Sequence, residues 1–380
     1  MKENQQNTGK KIAIKPKLPF KAVFPGKYIQ AEQALSQLPD LIELLGKNGL
    51  ILASPTAKNK IIPAYNLVIA GKDIPVEGFR GECCEEEIAR VSELVRNKNF
   101  DVIVGMGGGK TIDTAKIVAD RAGIPVIIVP TIASTDAPCS GCAVIYSKEG
   151  IFESVYYENL NPQIVLVDMN IIANSPTRFL VSGMGDALAT WFEARSCQQS
   201  QSVNACGGLS TLAALNLAEL CCDTLLQYGP AAIIANDNHV VTPALNHIVE
   251  ANILLSGLGF ESAGLASAHS VHNGLTALPE THAYYHGEKV AFGLLTGLHL
   301  SDADPEEIDL IYSFCEEIGL PTTFKDLGVT NLNKERLMEV AVKTCAPEEC
   351  IHHEAVEINP EKVMNAMIVA DAMGTRRKKQ

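Results

Sequence analysis

The sequence predicts an α/β domain with a mostly parallel sheet, followed by an all-helical domain. From residue 21 to about residue 174, short β-branched runs alternate with helical stretches, which is typical of parallel strands joined by helical crossovers. Past Asn174 the β-branched runs stop, and long segments rich in alanine and leucine follow. We therefore predict a domain boundary near residue 175, with an α/β domain over 1–175 and a helical domain over 176–380.

The elements of the α/β domain are predicted in chain order from its apolar runs. Short β-branched runs predict strands at 50–52, 101–104, 126–129 and 164–168. Longer stretches between them predict helices at 85–96 and 111–121. Ser175 followed by Pro176 predicts the start of the helical domain, because proline is tolerated in the first turn of a helix.

A glycine-rich turn follows the strand at 101–104. Gly107, Gly108 and Gly109 precede Lys110 and a predicted helix. Glycines let the backbone approach a phosphate, and the free N–H groups of a helix start favour an anion. The spacing is neither that of a P-loop nor that of the Rossmann fingerprint, because Val104 and Lys110 stand where those motifs need glycine. A tight turn without a ligand is the alternative.

The segment after the strand at 126–129 carries hydroxyls and a carboxylate, including Thr131, Ser134 and Asp136. Open parallel sheets bind ligands beyond the carboxyl ends of their strands, so this segment is a second candidate for ligand binding. A capping turn without a ligand is the alternative interpretation.

The helical domain contains a cluster of histidines. Five of the nine histidines fall within about 30 residues, at His269, His272, His282, His286 and His299. Such density suggests a metal site, although isolated histidines are more often surface or core residues. Upstream, Asp186 is predicted at the head of the helix that carries Trp191, where an N-terminal cap is the alternative role.

Composition limits the possible partners and the compartment. The 31 basic and 44 acidic residues give a formal net charge of −13, which argues against nucleic-acid and anionic-membrane binding. The eleven cysteines include the adjacent pairs Cys83-Cys84 and Cys221-Cys222 and no Cys-x-x-Cys, which favours reduced thiols in a cytoplasmic protein. We also expect no signal peptide, because polar residues interrupt the start before Ile14, and no transmembrane span.

Five segments in order closely resemble the glycerol dehydrogenases, the zinc-dependent branch of the iron-containing (group III) alcohol dehydrogenases. These segments are 107–116, 130–138, 183–194, 260–266 and 285–293. The resemblance extends roughly from Ala22 to Met373. It implies a Rossmann-like dinucleotide-binding domain, a helical domain that binds metal and substrate, and a metal site in the cleft between them.

The resemblance also implies roles for individual residues. The metal ligands would be Asp186, His269 and His286, which together with Asp136 would form the catalytic and substrate-contacting set. Thr190 stands where the iron branch usually carries a histidine, which favours zinc. The residues predicted to bind the nicotinamide dinucleotide are Ser54, Gly107, Gly108, Gly109, Lys110, Asp113, Thr131, Ser134, Ser140, Cys142 and Tyr146.

Two of these positions depart from the family pattern. Ser54 replaces the aspartate that usually accepts from the adenosine ribose hydroxyls, and Lys58 follows one turn later. Losing that carboxylate removes the repulsion that would exclude a 2′-phosphate, so NADP is possible beside NAD. Cys142 stands where leucine is usual.

The resemblance implies a zinc-dependent oxidoreductase that transfers a hydride from the secondary hydroxyl of glycerol, or of a related vicinal diol, to a nicotinamide cofactor. The product from glycerol would be dihydroxyacetone. Proton release through ordered water or through His272 stays open. Two alternatives are a lyase similar to dehydroquinate synthase and a catalytically silent nucleotide-binding protein. The resemblance further suggests a homo-oligomer, in particular an octamer.

Overall fold

The first part of the chain is built on a six-stranded sheet, in a computed structural model that describes residues 18–379. The strands are β1 (Tyr28–Ala31), β2 (Gly49–Ala53), β3 (Val68–Ile69), β4 (Lys72–Asp73), β5 (Val76–Gly78), β6 (Val102–Gly107), β7 (Val126–Pro130), β8 (Cys142–Tyr146), β9 (Phe152–Tyr157) and β10 (Ile164–Asp168). The sheet has the order β1-β10-β7-β6-β2-β5 and is parallel throughout. β3 pairs with β4, and β8 with β9, as separate antiparallel pairs. Residues 1–17 of the predicted first domain, and its amino-terminal start, lie outside the described residues.

Helices cover both faces of this sheet, so its central strands are apolar along their whole length. The helices of this part are α1 (Leu38–Leu45), α2 (Ile62–Ala64), α3 (Glu85–Lys98), α4 (Gly109–Ala122) and α5 (Met169–Ala173). In β2, Leu50 and Leu52 join a core cluster with residues of α3 and α4. Ile51 and Ala53 join a second cluster with residues of α1.

From Thr177 onward, the regular structure in the described residues is helical. The helices are α6 (Thr177–Ser200), α7 (Leu212–Asp237), α8 (Pro243–Glu250), α9 (Ser256–Ala263), α10 (Ser267–Leu275), α11 (His286–Leu300), α12 (Pro305–Ile318), α13 (Lys334–Thr344) and α14 (Pro360–Arg377). A π-helical turn, Ala251–Leu255, joins α8 to α9. The predicted fold class, a parallel α/β part followed by a helical part, is confirmed. Between residues 18 and 379, no helix combines the length and apolar character needed to cross a membrane.

The predicted start of the helical part at Ser175-Pro176 agrees with α6, which begins at Thr177. The Ser175 hydroxyl itself donates to the carbonyl of Ile172 in the preceding turn. One local prediction is wrong. Asp186 is not at a helix head, since α6 begins at Thr177 and continues past it to Ser200. The glycines near Asp186 suggested a helix start, but they lie within α6 and serve helix packing. The capping role for Asp186 is thereby excluded.

All eleven cysteines lie in the described part of the chain, and all are free thiols there.

Candidate metal and cofactor site

Asp186, His269 and His286 converge in the helical part of the chain. They come from α6, α10 and α11 respectively, and one ligand atom of each lies within 4.8 Å of the others. Asp186 Oδ1 lies 3.3 Å from His269 Nε2 and 3.1 Å from His286 Nε2. Asp186 is 1% exposed, so the side chains enclose its carboxylate.

The ring of His269 is oriented by a second carboxylate, Glu193. His269 Nδ1 lies 2.6 Å from Glu193 Oε2, while Glu193 Oε1 accepts from the backbone N–H groups of Ala266 and His269. Because a carboxylate accepts, Nδ1 carries a proton, so Nε2 is the nitrogen that can bind a metal. Glu193 was missed in the sequence, although it follows Asp186 by two helical turns on the same face of α6.

The ring of His286 is oriented by another histidine. His286 Nδ1 lies 3.1 Å from His272 Nε2, and the two rings meet edge to face. Burial, followed by the positive potential of His286 and Lys289, lowers the pKa of His272 well below its usual range. His272 is therefore neutral, and one of its nitrogens is an acceptor.

These donor groups fit a divalent metal ion. Both oxygens of Asp186 are buried without a hydrogen-bond donor, although the two histidine nitrogens lie within 3.3 Å of Oδ1. Burial raises the pKa of Asp186, but His286 and His269 outweigh it and hold the pKa below the usual range. Burial lowers the pKa of His269, whereas Glu193 and Asp186 raise it well above its usual range. The pocket therefore favours positive charge, and one carboxylate with two imidazoles is a common ligand set for catalytic zinc or iron.

Glycines bring the helices of this centre together. A Cβ on Gly287, next to His286, would overlap the carbonyl oxygen of Ser182 and lie 2.8 Å from the backbone nitrogen of Asp186. A Cβ on Gly185 would likewise overlap the carbonyl oxygen of Gly287. Only residues without a side chain allow α6 and α11 to approach this closely.

Asp136 is held beside this centre by the hydroxyl of Ser256, which in turn contacts the hydroxyl of Thr190. Ser256 donates to Asp136 Oδ2 over 2.8 Å, and the Thr190 hydroxyl lies 2.9 Å from Ser256 Oγ. Since the Ser256 proton goes to Asp136, Thr190 is the donor to Ser256. Burial, and then the Asp186 carboxylate, raise the pKa of Asp136 well above its usual range. Thr190 thus supports Asp136, a role that sequence reasoning missed.

The predicted cofactor residues gather at the carboxyl edge of the sheet. β2, β6 and β7 are neighbours, so Ser54, Gly107 and Thr131 emerge side by side. The Ser54 N–H donates to the Met106 carbonyl, and the Thr131 N–H to that of Gly107. Gly107 lacks room for a side chain, because a Cβ there would lie 2.9 Å from Ser54 Cβ.

The first turn of the helix at this edge has free space beside it, whereas Lys110 in that turn is paired with a carboxylate. α4 begins at Gly109 with Gly108 as its N-cap, and a Cβ on Gly109 would meet no neighbour within 4 Å. Lys110 Nζ lies 2.7 and 2.6 Å from the two Glu82 oxygens and 5.0 Å from the centre of the Tyr146 ring. The pairing of Lys110 with Glu82 thus leaves the backbone N–H groups at the start of α4 as the candidate anion-binding groups of this turn.

A buried lysine organises the remaining predicted cofactor residues. Lys116 Nζ donates to the backbone carbonyls of Ala137, Ser140 and Cys142, and so holds the turn that leads into β8. Asp113 Oδ2 accepts from the Val144 N–H in β8. Burial raises the pKa of Asp113 to about 6 against the opposing effect of Lys116. Asp113 and Lys116 thus fasten the hairpin to α4, and Lys116 was not singled out in the sequence.

The loop after β7 joins the sheet edge to the helices. The Ser182 hydroxyl donates to the Ser134 carbonyl over 3.3 Å, and Asn252, from the π-helical turn, donates to the Ala133 carbonyl. Two histidines of the cluster stay outside this region. His282 contacts the Thr276 carbonyl and His299 contacts Tyr312, so the isolated-histidine interpretation applies to them.

Known proteins resemble this chain over almost its full length. Residues 25–169 match the family described as iron-containing alcohol dehydrogenase. A glycerol dehydrogenase from Thermotoga maritima is 48% identical over 361 residues, which cover 94% of this chain and 98% of that protein. The chain belongs to the iron-containing alcohol dehydrogenase family.

Two further comparisons place this alcohol dehydrogenase within its family. A glycolaldehyde reductase from Halobacterium salinarum is 42% identical, with 93% of this chain and 97% of that protein covered. The crystal structure of a probable glycerol dehydrogenase from Sinorhizobium meliloti 1021 superposes with a TM-score of 0.89 at 42% identity, covering 94% of this chain and 99% of that one. The predicted resemblance to glycerol dehydrogenases is confirmed, and neither the lyase nor the silent protein is favoured.

Proposed function

We propose that the protein is a zinc-dependent dehydrogenase that oxidises the secondary hydroxyl of glycerol, or of a related vicinal diol, and reduces a nicotinamide dinucleotide. Glycerol would yield dihydroxyacetone. The observation that carries this proposal is the buried Asp186 carboxylate, which has no hydrogen-bond donor and faces two histidine Nε2 atoms. The names of the relatives from Thermotoga maritima and Halobacterium salinarum support a small hydroxylated substrate.

Asp186, His269 and His286 would hold the metal, and the protein would position the reactants around it. Zinc bound by these residues would supply Lewis acidity toward a substrate hydroxyl. Asp136, with one oxygen held by Ser256, would orient a terminal hydroxyl of the polyol with its other oxygen. Thr190 supports zinc over iron, because it stands where the iron branch carries a histidine. Its hydroxyl contacts Ser256 instead.

The first domain, over residues 1–175, would bind the dinucleotide. The second domain, over residues 176–380, would bind the metal and the polyol. The pyrophosphate would lie against the backbone N–H groups at the start of α4, where the helix dipole favours an anion. The adenosine ribose would lie near Ser54, and the cleft between the domains would contain the metal. A cytoplasmic location and assembly into a homo-oligomer stay predictions.

An absorbance assay tests the proposed function. The purified protein is mixed with glycerol and either NAD or NADP, and the reduced cofactor is followed before and after treatment with a chelator. We expect cofactor reduction that chelation abolishes and that added zinc restores better than added iron. Absence of reduction with glycerol, 1,2-propanediol and other vicinal diols would refute the proposal, and full activity after complete metal removal would refute the metal's role.

The sheet edge further supports use of NADP beside NAD. Ser54 is neutral and accepts from the Ala57 N–H, so the end of β2 presents no side-chain carboxylate to a 2′-phosphate. Lys58 lies one turn later. Its Nζ is close to Gly78 in the adjacent strand β5, because a Cβ added to that glycine would lie 3.2 Å from it. The lysine therefore lies at the same edge as Ser54.

Ser54→Asp is expected to raise the ratio of kcat/KM with NAD to kcat/KM with NADP by about tenfold or more, because a carboxylate accepts from ribose hydroxyls and repels a phosphate. Initial rates with the two cofactors measure this ratio. Lys58→Gln should weaken NADP use alone, and Lys60→Gln, the same change at a nearby exposed lysine, is the matched control. An unchanged ratio in Ser54→Asp would contradict the assignment.

A further inference from the structure

Three hydrogen bonds in series connect the proposed metal centre to Glu349. His286 Nδ1 lies 3.1 Å from His272 Nε2, and His272 Nδ1 lies 2.9 Å from Asn273 Oδ1. Asn273 Nδ2 then donates to the two oxygens of Glu349 over 3.2 and 3.0 Å. His272 and Asn273 are neighbours on α10, whereas Glu349 lies in the segment that follows α13. The series therefore spans three separate parts of the chain.

The carboxylate at the end determines the direction of every bond in the series. An ionised Glu349 only accepts, so Asn273 turns its NH₂ group toward it and its oxygen toward His272. That oxygen also only accepts, so His272 Nδ1 carries the proton and Nε2 is an acceptor. His286 Nδ1 must then be the donor to His272. When the ring is neutral, as a metal ligand must be, the remaining nitrogen of His286, Nε2, then carries the lone pair.

We propose that Glu349 is a positioning residue, which acts through Asn273 and His272 to hold His286 in the tautomer whose Nε2 faces the metal. The inference rests on the proposed function, because it places a metal beside Asp186. His269 offers a parallel, since Glu193 fixes that ring by a direct hydrogen bond. Outer partners of this kind fix the orientation and basicity of metal-binding histidines.

The series holds the ring and does not conduct protons. A carboxamide neither gains nor loses a proton near neutral pH, so Asn273 blocks transfer between His272 and Glu349. The hydrogen bonds also prevent a flip of the His286 ring, which would put carbon in place of Nε2. If Glu349 positions His286, loss of its carboxylate should weaken metal binding. Metal affinity can be measured separately from any effect of the substitution on folding.

The test measures the zinc affinity of the full-length, zinc-loaded protein by titration with a competing chromophoric chelator. Glu349→Leu removes the final acceptor and is expected to raise the zinc Kd about tenfold. Glu349→Gln keeps an acceptor oxygen for Asn273 and should stay within about twofold of the wild type. Glu348→Leu makes the same change at the adjacent, exposed glutamate and should leave the Kd unchanged.

A second variant tests whether the residues act in series. Asn273→Leu should also raise the Kd about tenfold, and the double variant with Glu349→Leu should be no weaker than Asn273→Leu alone. Additive losses would overturn the proposal, as would equal losses in Glu349→Leu and Glu348→Leu. If Glu349→Leu fails to fold, Asn273→Leu carries the test, and an unchanged Kd in that variant overturns the proposal.

The outcomes separate this proposal from the proposed function. If the wild type binds zinc and all variants bind it equally well, the positioning role alone is overturned. If the predicted losses occur in a protein that oxidises no vicinal diol, the positioning role stands and the proposed function is overturned. A wild-type chain without zinc affinity would overturn both.

Discussion

Replacing Asp186 with asparagine is expected to weaken zinc binding more than 100-fold and to abolish turnover of glycerol. The carboxylate is 1% exposed, and both of its oxygens lack a hydrogen-bond donor, so both are free to bind a metal ion. Changes in outer partners of metal ligands already cost about 10–100-fold in affinity, and removal of an anionic ligand should cost more. Zinc content after dialysis, together with kcat for glycerol oxidation, measures both effects.

Asp223→Asn provides the matched control for this variant. Asp223 is exposed on α7, so the same chemical change there should leave zinc content and turnover unchanged. Circular dichroism of the Asp186→Asn variant shows whether the helices remain folded. Full zinc content with a normal rate would refute the assignment of Asp186 as a ligand.

Replacing Gly287 with alanine is expected to lower the free energy of unfolding by about 3 kcal/mol and to reduce zinc content. The added Cβ would overlap the Ser182 carbonyl oxygen, and that oxygen belongs to the backbone of α6, which yields little. Overpacking a close contact usually costs about 1–3 kcal/mol, and a clash with backbone belongs at the upper end. Because α11 must then move away from α6, His286 should also move away from Asp186.

Urea denaturation and zinc analysis measure the effect of this substitution. Gly109→Ala is the control for stability, because a Cβ there meets no neighbour within 4 Å and the residue lies in a helix. Its stability without cofactor should match that of the wild type within about 1 kcal/mol. A Gly287→Ala variant with wild-type stability and zinc content would show that α6 and α11 tolerate a wider separation.

The four inner strands of the sheet, β2, β6, β7 and β10, were predictable because burial on both faces leaves unbroken apolar runs, whereas the edge strands β1 and β5 and the two antiparallel pairs were not predicted. The run at 126–129 lies within β7, and the stretch at 111–121 lies within α4. Asp186 was placed at a helix head, although it lies inside α6, for a different reason. Glycine near Asp186 looks like the end of one element and the beginning of another, whereas Gly183 and Gly185 are places of close contact within a single helix.

The residues in and around the proposed metal centre divide in the same way. Asp186, His269 and His286 stand out in the sequence because their segments resemble a known family. Ser256 and Glu349 do not stand out, because a single serine or glutamate carries no sign in the sequence of the residue that it will contact. Glu193 alone offered a local signal, through its two-turn spacing from Asp186 on α6.

The sequence by itself determined the order of the elements, the family and the types of residue available to bind a metal and a dinucleotide. Periodicity, glycine spacing and family segments are local properties, so they can be recognised in the amino-acid sequence alone. Only the tertiary structure decided which groups contact the histidine nitrogens and which groups hold Asp136. Those properties depend on contacts between residues as far apart as Asp136 and Ser256, or Asn273 and Glu349, which packing brings within 3.2 Å.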